Sequence, residues 1–211
     1  SWQWQAKLQG DLSRLSLEGN LTNSASLQLS HQVQYAPDNI SIDWQLGDMF
    51  LLAGNPLSDS LTAWPPLLEL NRGRLGASGT LSLLPALNAT AQLQLSGISG
   101  IYDRSLFQDL TAALQLHYTP EQFQLSTSGA SLAQINHGIV AGPLTATAHY
   151  QANPGAITSG TLDIQQLQLQ AMGGQVAMQP QVLDLSLDGQ KLQLDLKQID
   201  ISQLLKQHPS T

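Results

Sequence analysis

Leucine alternating with glutamine constrains this chain more than any other feature. Residues 91–95 read AQLQL and 163–170 read DIQQLQLQ. In extended backbone successive side chains leave on opposite faces, so each such run points its leucines one way and its glutamines the other. The same period runs through Trp2, Trp4, Ala6 and Leu8, then Leu27, Leu29, Val33 and Tyr35, then Ile40, Ile42, Trp44 and Leu46. It continues in Leu75, Ala77, Leu81 and Leu83; Leu93 and Leu95; and Ala112, Leu114, Leu116 and Tyr118. Further on come Phe123 and Leu125; Leu144, Ala146, Ala148 and Tyr150; and Leu167 and Leu169. Leu183, Leu185 and Leu187 and then Leu192, Leu194 and Leu196 complete the series. Period two over so many segments predicts an all-β chain, a mainly antiparallel sheet with one apolar and one wet face.

Turn chemistry separates the runs. Asp188-Gly189 predicts a two-residue hairpin, because both central positions need positive φ. Thr119-Pro120-Glu121 and Asn153-Pro154-Gly155 read as short reversals. Asp11, Glu18-Gly19-Asn20 and Gly97 read as strand breaks, so adjacent strands join mostly as a meander. Two stretches leave the rhythm. Residues 53–67 carry Pro56, Pro65 and Pro66, which cannot donate to a ladder, and read as a loop excursion that covers one end of the sheet. Residues 201–206 lack alternation and read as a helical turn behind an Asp200 N-cap. At most one or two short helices are expected.

A dozen or more strands cannot stay flat, since open twisted sheets rarely exceed roughly ten without curling or splitting. The sheet can fold into a sandwich, close into a barrel, or curl into an open trough. Base rates favour the first two, which would make a structural or adhesive module with a self-filled core. The lining argues for the trough. It is mostly Leu and Ala with few aromatics, whereas a uniquely packed core interlocks large and small shapes. A surface that accepts fluid hydrocarbon needs apolarity and no fixed fit.

Composition narrows the function. Charged residues are 11% of the chain, against about 25% in ordinary soluble domains, so the wet face is hydrated by amides and hydroxyls. Eight Lys and Arg within a net charge of −7 supply no basic stripe for nucleic acid or for anionic headgroups. Without cysteine there is no disulfide or thiolate chemistry. No run reaches 18 apolar residues. A chain beginning at Ser1 and ending in QHPST is expected to be an internal piece of a longer protein, one continuous segment over 1–211 with any anchor elsewhere.

No catalytic or metal constellation emerges. His31, His117, His137, His149 and His208 are scattered, and none shows HxH or HExxH spacing. His117 and His149 fall in the polar phase; His31 falls in the apolar phase and reads as a hydrogen-bonded lining residue. Gly97-Ile98-Ser99-Gly100 is not the GxSxG nucleophile elbow. Asp103 with Asp109, or Asp184 with Asp195, read as turn and face residues rather than a glycosidase pair. No enzyme, cofactor or metal is expected.

The second half carries phrases beyond pattern: Ile135-Asn136-His137-Gly138-Ile139, the Gly142-Pro143-Leu144 step, Gly173-Gly174 ahead of Pro180, and Ile201 to Pro209. In these residues 97–210 resemble the bacterial YdbH family of AsmA-like envelope proteins, related in kind to TamB and YhdP. The resemblance implies a long periplasmic sheet curled into an open hydrophobic groove, a β-taco, anchored in the inner membrane by an N-terminal helix. It implies conduction of phospholipids toward the outer membrane, where a small lipoprotein completes the far end. The dicarboxylate-transport label also attached to the family finds no support, for no Arg/Lys pair converges on two carboxylates. On this reading acyl chains lie against Leu29, Val33, Ile42, Trp44, Leu93, Leu95, Leu114, Leu116, Phe123, Leu125, Leu144, Leu167, Leu169, Leu183, Leu185, Leu192 and Leu194.

Overall fold

A computed structural model of the chain describes residues 2–25, 27–51, 56–60, 62, 64–200 and 202. The alternating runs become strands: β1 (Trp2–Asp11), β2 (Arg14–Asn23), β3 (Gln28–Ala36), β4 (Asn39–Phe50), β5 (Leu68–Leu84), β6 (Asn88–Tyr102) and β7 (Ser105–Tyr118). They continue as β8 (Phe123–Leu132), β9 (Gln134–Asn136), β10 (Val140–Ala152), β11 (Thr161–Ala171), β12 (Gly174–Met178), β13 (Gln181–Asp184) and β14 (Leu194–Lys197). A short helix, α1 (Pro56–Ser60), follows β4, and a 3-10 turn spans Pro154–Ala156.

All 14 strands lie in one antiparallel sheet, in the order β1 to β8, then β10, β11, β12 and β14. Two long strands are each matched by a pair of shorter ones. β7 pairs with β8 and then β9, and β11 pairs with β13 and β12.

Bulges keep the apolar face in phase. Where the spacing of apolar residues lengthens from two to three, as from Leu46 to Met49, Leu95 to Ile98 and Ile164 to Leu167, the pairing register shifts. An extra residue at each step restores the side on which the next apolar residue emerges. Gly97 is one of these points. It does not break a strand, as its sequence context suggested; it sits inside β6 with φ +61, a left-handed conformation open to glycine. Gly19 likewise lies in the middle of β2, held in the ladder between Ala6 and His31.

Two further expectations are corrected. Asp188-Gly189 does not make a two-residue hairpin, although Gly189 has φ +72. β13 and β14 pair with different neighbours, β11 and β12, so the chain must cross a longer connection. Leu185, Leu187 and Leu192 lie in that connection, outside any strand. The 53–67 excursion contains α1, which the prolines had hidden. The expected turn at 201–206 lies outside the described residues except for Ser202, which is helical and donates its backbone N–H to Asp200 Oδ1 at 2.9 Å.

Among the described residues no strand packs on another layer; each strand makes its substantial contacts with hydrogen-bonded neighbours, and the path ends at β1 and β14 without closing. The sandwich and the barrel are thereby replaced by an open single sheet. Twist accumulated over this many strands curls it. Along its middle strands the apolar residues are half-buried against one another while most of the glutamines between them are exposed. One end is packed in the ordinary way. Leu27, Met49, Leu51 and Ile98 are buried together, with Leu57 of α1, Leu70, Leu75 and Phe107 laid against them. Asn23 fastens this end: its Oδ1 accepts from the backbone of Ala25 and Leu27, and its Nδ2 donates to Ser60 Oγ at 2.6 Å.

Candidate functional site

Residues directly opposite in an antiparallel ladder share a face, so the registers trace rows of side chains across the strands. One row runs Leu8, Leu17, Val33, Ile42, Leu81, Ala89, Tyr118, Phe123 and Ala152. The next runs Ala6, Gly19, His31, Trp44, Gly79, Ala91, Leu116, Leu125, Tyr150, Leu162 and Leu183. A third runs Trp4, Leu21, Leu29, Leu46, Ala77, Leu93, Leu114, Thr127, Ala148 and Ile164. A fourth joins Met49, Leu75, Leu95, Ala112, Ala130, Ala146, Leu167, Met178 and Leu194. Leu144, Leu169, Val176 and Leu196 begin a fifth. At about 4.8 Å per strand the second row extends roughly 48 Å.

Among the described strand positions, these rows contain no Asp, Glu, Lys or Arg. Their polar groups are His31, Thr127, the tyrosine hydroxyls and the indole N–H groups of Trp4 and Trp44. A surface of this kind can solvate hydrocarbon along its length and offers no point charge at which to hold a headgroup.

Of the expected lining, Leu29, Val33, Ile42, Trp44, Leu93, Leu95, Leu114, Leu116, Phe123, Leu125, Leu144, Leu167, Leu169, Leu183 and Leu194 stand in these rows. Leu194 is on the last strand and is 47% exposed. Leu185 and Leu192, off the ladder at 45% and 52% exposed, are not brought to the rows by strand pairing. Sequence reasoning missed the whole of β2, because Gly19 interrupts its leucines. The signal was present, since Leu15, Leu17 and Leu21 keep strict alternation if glycine is allowed one place. Ile98 and Ile164 were missed because a bulge offsets each from the alternating run beside it, whereas Leu110 and Met178 were missed although they keep phase with Ala112 and Val176.

Glycine shapes the second row. A Cβ built on Gly79 would stand 2.8 Å from Trp44 Cζ2, and one on Gly19 would stand 2.9 Å from His31 Cε1. Each ring therefore lies down over a neighbouring glycine, which lowers its height above the sheet. Trp4 reaches across from β1 and donates its indole N–H to His31 Nε2 at 2.8 Å. Phe123 meets Tyr150 edge-on, with ring centres 6.3 Å apart.

The opposite face is a field of amides and hydroxyls. A shallow cleft of about 460 Å³ runs there between two polar rows of β2–β6, walled by Glu18, Asn20, Gln32, Asp43, Gln45, Thr80 and Gln92. Gly19, His31, Trp44 and Gly79 of the second row also border it. His117 and His149 border a smaller cleft on the same side, and His117 Nε2 lies 3.2 Å from Asn88 Oδ1. No group of three or more metal-ligating side chains occurs among the described residues. The phrase around His137 is a turn: Asn136 Oδ1 accepts from the Gly138 N–H at 3.0 Å, and Ser105 Oγ lies 2.8 Å from His137 Nδ1.

Two carboxylates titrate below the usual range, and both close turns. The Ser13 hydroxyl, then the backbone N–H groups of Ser13 and Arg14, hold the Asp11 carboxyl low; the Ser186 hydroxyl and N–H do the same for Asp184.

An open single-layer sheet with a continuous uncharged apolar face is the architecture of a β-groove protein. Comparison with known families agrees: the model of the YdbH-like family, described as intermembrane phospholipid transport protein YdbH, matches residues 1–210. The chain belongs to that family of bacterial cell-envelope, AsmA-like lipid-transport proteins. No curated protein and no solved structure matches it significantly. No described helix is long and apolar enough to cross a membrane.

Proposed function

We propose that this chain is one continuous section of a periplasmic bridge, along whose apolar rows phospholipids pass between the inner and outer membranes. The observation that carries the reading is the set of uncharged rows running across the sheet with no second layer laid over them. The acyl chains lie against Leu93, Leu114, Leu116, Leu125, Leu167 and Leu169 and their neighbours in the rows, and the headgroups stay toward the open mouth. Each buried methylene contributes about 0.8 kcal/mol, so a chain of roughly sixteen carbons gains about 12 kcal/mol, enough to offset leaving the bilayer. Apolar contact of this kind is insensitive to where along a row it is made, which suits sliding better than tight capture. The section acts by solvation and carries out no reaction. Anchorage in the inner membrane and a small outer-membrane lipoprotein as partner follow from the family resemblance and belong to the same proposal.

Mass spectrometry of an organic extract of the purified chain tests the reading, with two-chain phospholipid the expected content. Leu116→Asp combined with Leu169→Asp places charge in the half-buried rows. It is expected to stop lipid loading and transfer while far-ultraviolet circular dichroism remains that of a folded sheet. A folded double variant that carries lipid at the normal rate would overturn the conduit.

A further inference from the structure

His31 stands in the apolar face with an unmet hydrogen bond. Its Nε2 accepts from the Trp4 indole at 2.8 Å, so the neutral ring carries its hydrogen on Nδ1. That Nδ1 is buried and has no partner. A buried donor left alone costs free energy and calls for an explanation. The surroundings offer none from the protein itself: in its row His31 lies between Gly19 and Trp44, with Val33 and Leu29 on either side along β3.

The same corner of the sheet is rich in indole. Trp2 and Trp4 on the terminal strand β1 are 49% and 59% exposed, and Trp44 is beside His31 on β4. Indoles join an apolar body to an N–H, the combination favoured at the level of a bilayer where hydrocarbon gives way to oxygen. Beyond β4 the rows contain no indole.

We propose that His31, held at Nε2 by Trp4, is a foothold for the glycerol-ester carbonyl of a lipid lying in the groove. This inference rests on the conduit reading and gives it a register. The ester carbonyl is the first oxygen met on leaving the acyl chain, and being uncharged it can enter a groove in which a phosphate diester would find no countercharge. It is an acceptor without a donor, and His31 Nδ1–H is a donor without an acceptor. Trp4, on the end strand, keeps the hydrogen on Nδ1 by holding Nε2, so the carbonyl meets Nδ1–H with that indole bond in place. Lipids would pause here in one orientation, with tails toward the leucine-rich strands.

The test compares dihexadecanoyl phosphatidylglycerol with its di-O-hexadecyl ether analogue, which lacks only the carbonyls. The wild-type chain is expected to bind the ester lipid about 5- to 10-fold more tightly, the worth of one hydrogen bond. His31→Phe is expected to erase that preference by weakening the ester lipid alone, and His31→Gln, which keeps an N–H, to retain it. Equal affinities in the wild-type chain overturn the foothold and leave the conduit standing. A His31→Phe chain that loses both lipids alike also overturns it, since the residue then serves only the fold. Failure of the wild-type chain to bind either lipid removes the conduit and the foothold together.

Discussion

The indole of Trp44 lies on Gly79, with Cζ2 2.8 Å from where a Cβ of residue 79 would be. The pair shows how a sheet can carry bulky apolar residues and still leave its face open. A glycine in the facing strand gives the ring a place to lie flat, and His31 on Gly19 repeats the device.

The first prediction follows from this contact. Gly79→Ala forces a methyl against Trp44 and against the backbone oxygen of Thr90, so it should destabilise the chain by about 1–3 kcal/mol. Gly129→Ala is the control, because nothing lies within 4 Å of its added Cβ. Urea denaturation should separate the two variants clearly. Equal midpoints would mean that the ring does not depend on the glycine.

The packed end and the open rows should respond differently to truncation. Ile98 is 3% exposed in the cluster that Leu57 covers, so Ile98→Ala should cost about 2–4 kcal/mol. Leu57→Ala should uncover the same cluster and speed amide exchange in β4 to β7 ahead of β10 and β11. Hydrogen exchange read by mass spectrometry would show this, and uniform acceleration over the whole sheet would contradict it.

Acid should act on turns and spare the rows. The carboxyls of Asp11 and Asp184 are held below the ordinary aspartate value of 3.8 by hydrogen bonds to their ionised forms. Their contribution is fully present above that value and is lost as pH falls through the lowered folded value. Stability should therefore be flat in this respect from pH 5 to neutrality, and both turns should loosen below about pH 3.8. Asp11→Asn with Asp184→Asn should blunt the acid response of those turns in hydrogen exchange.

The ends of the sheet should associate. β1 and β14 each have a side paired with no described strand, and such edges recruit other strands. Sedimentation of the chain should show mass growing with concentration. Gln3→Lys with Gln5→Lys, both on the polar phase of β1, should reduce it; a strict monomer at every concentration would count against free edges.

Leucine–glutamine alternation by itself determined that this chain is a sheet with one wet face and one oily face, because side-chain direction in a strand depends only on the parity of position. It also placed Leu93, Leu114, Leu116 and Leu169 on the oily side, since no bulge separates them from their nearest apolar neighbours. Parity fails at each bulge, so Ile98 and Ile164 came into line only in three dimensions. The hairpin expected at Asp188-Gly189 failed for a related reason: local turn chemistry is identical whether the flanking strands pair with each other or with β11 and β12. Only the tertiary structure decided that the leucine face stays open. Sandwich, barrel and trough ask the same alternation of the sequence and differ in whether distant strands meet, a matter settled by accumulated twist and by edges that never pair.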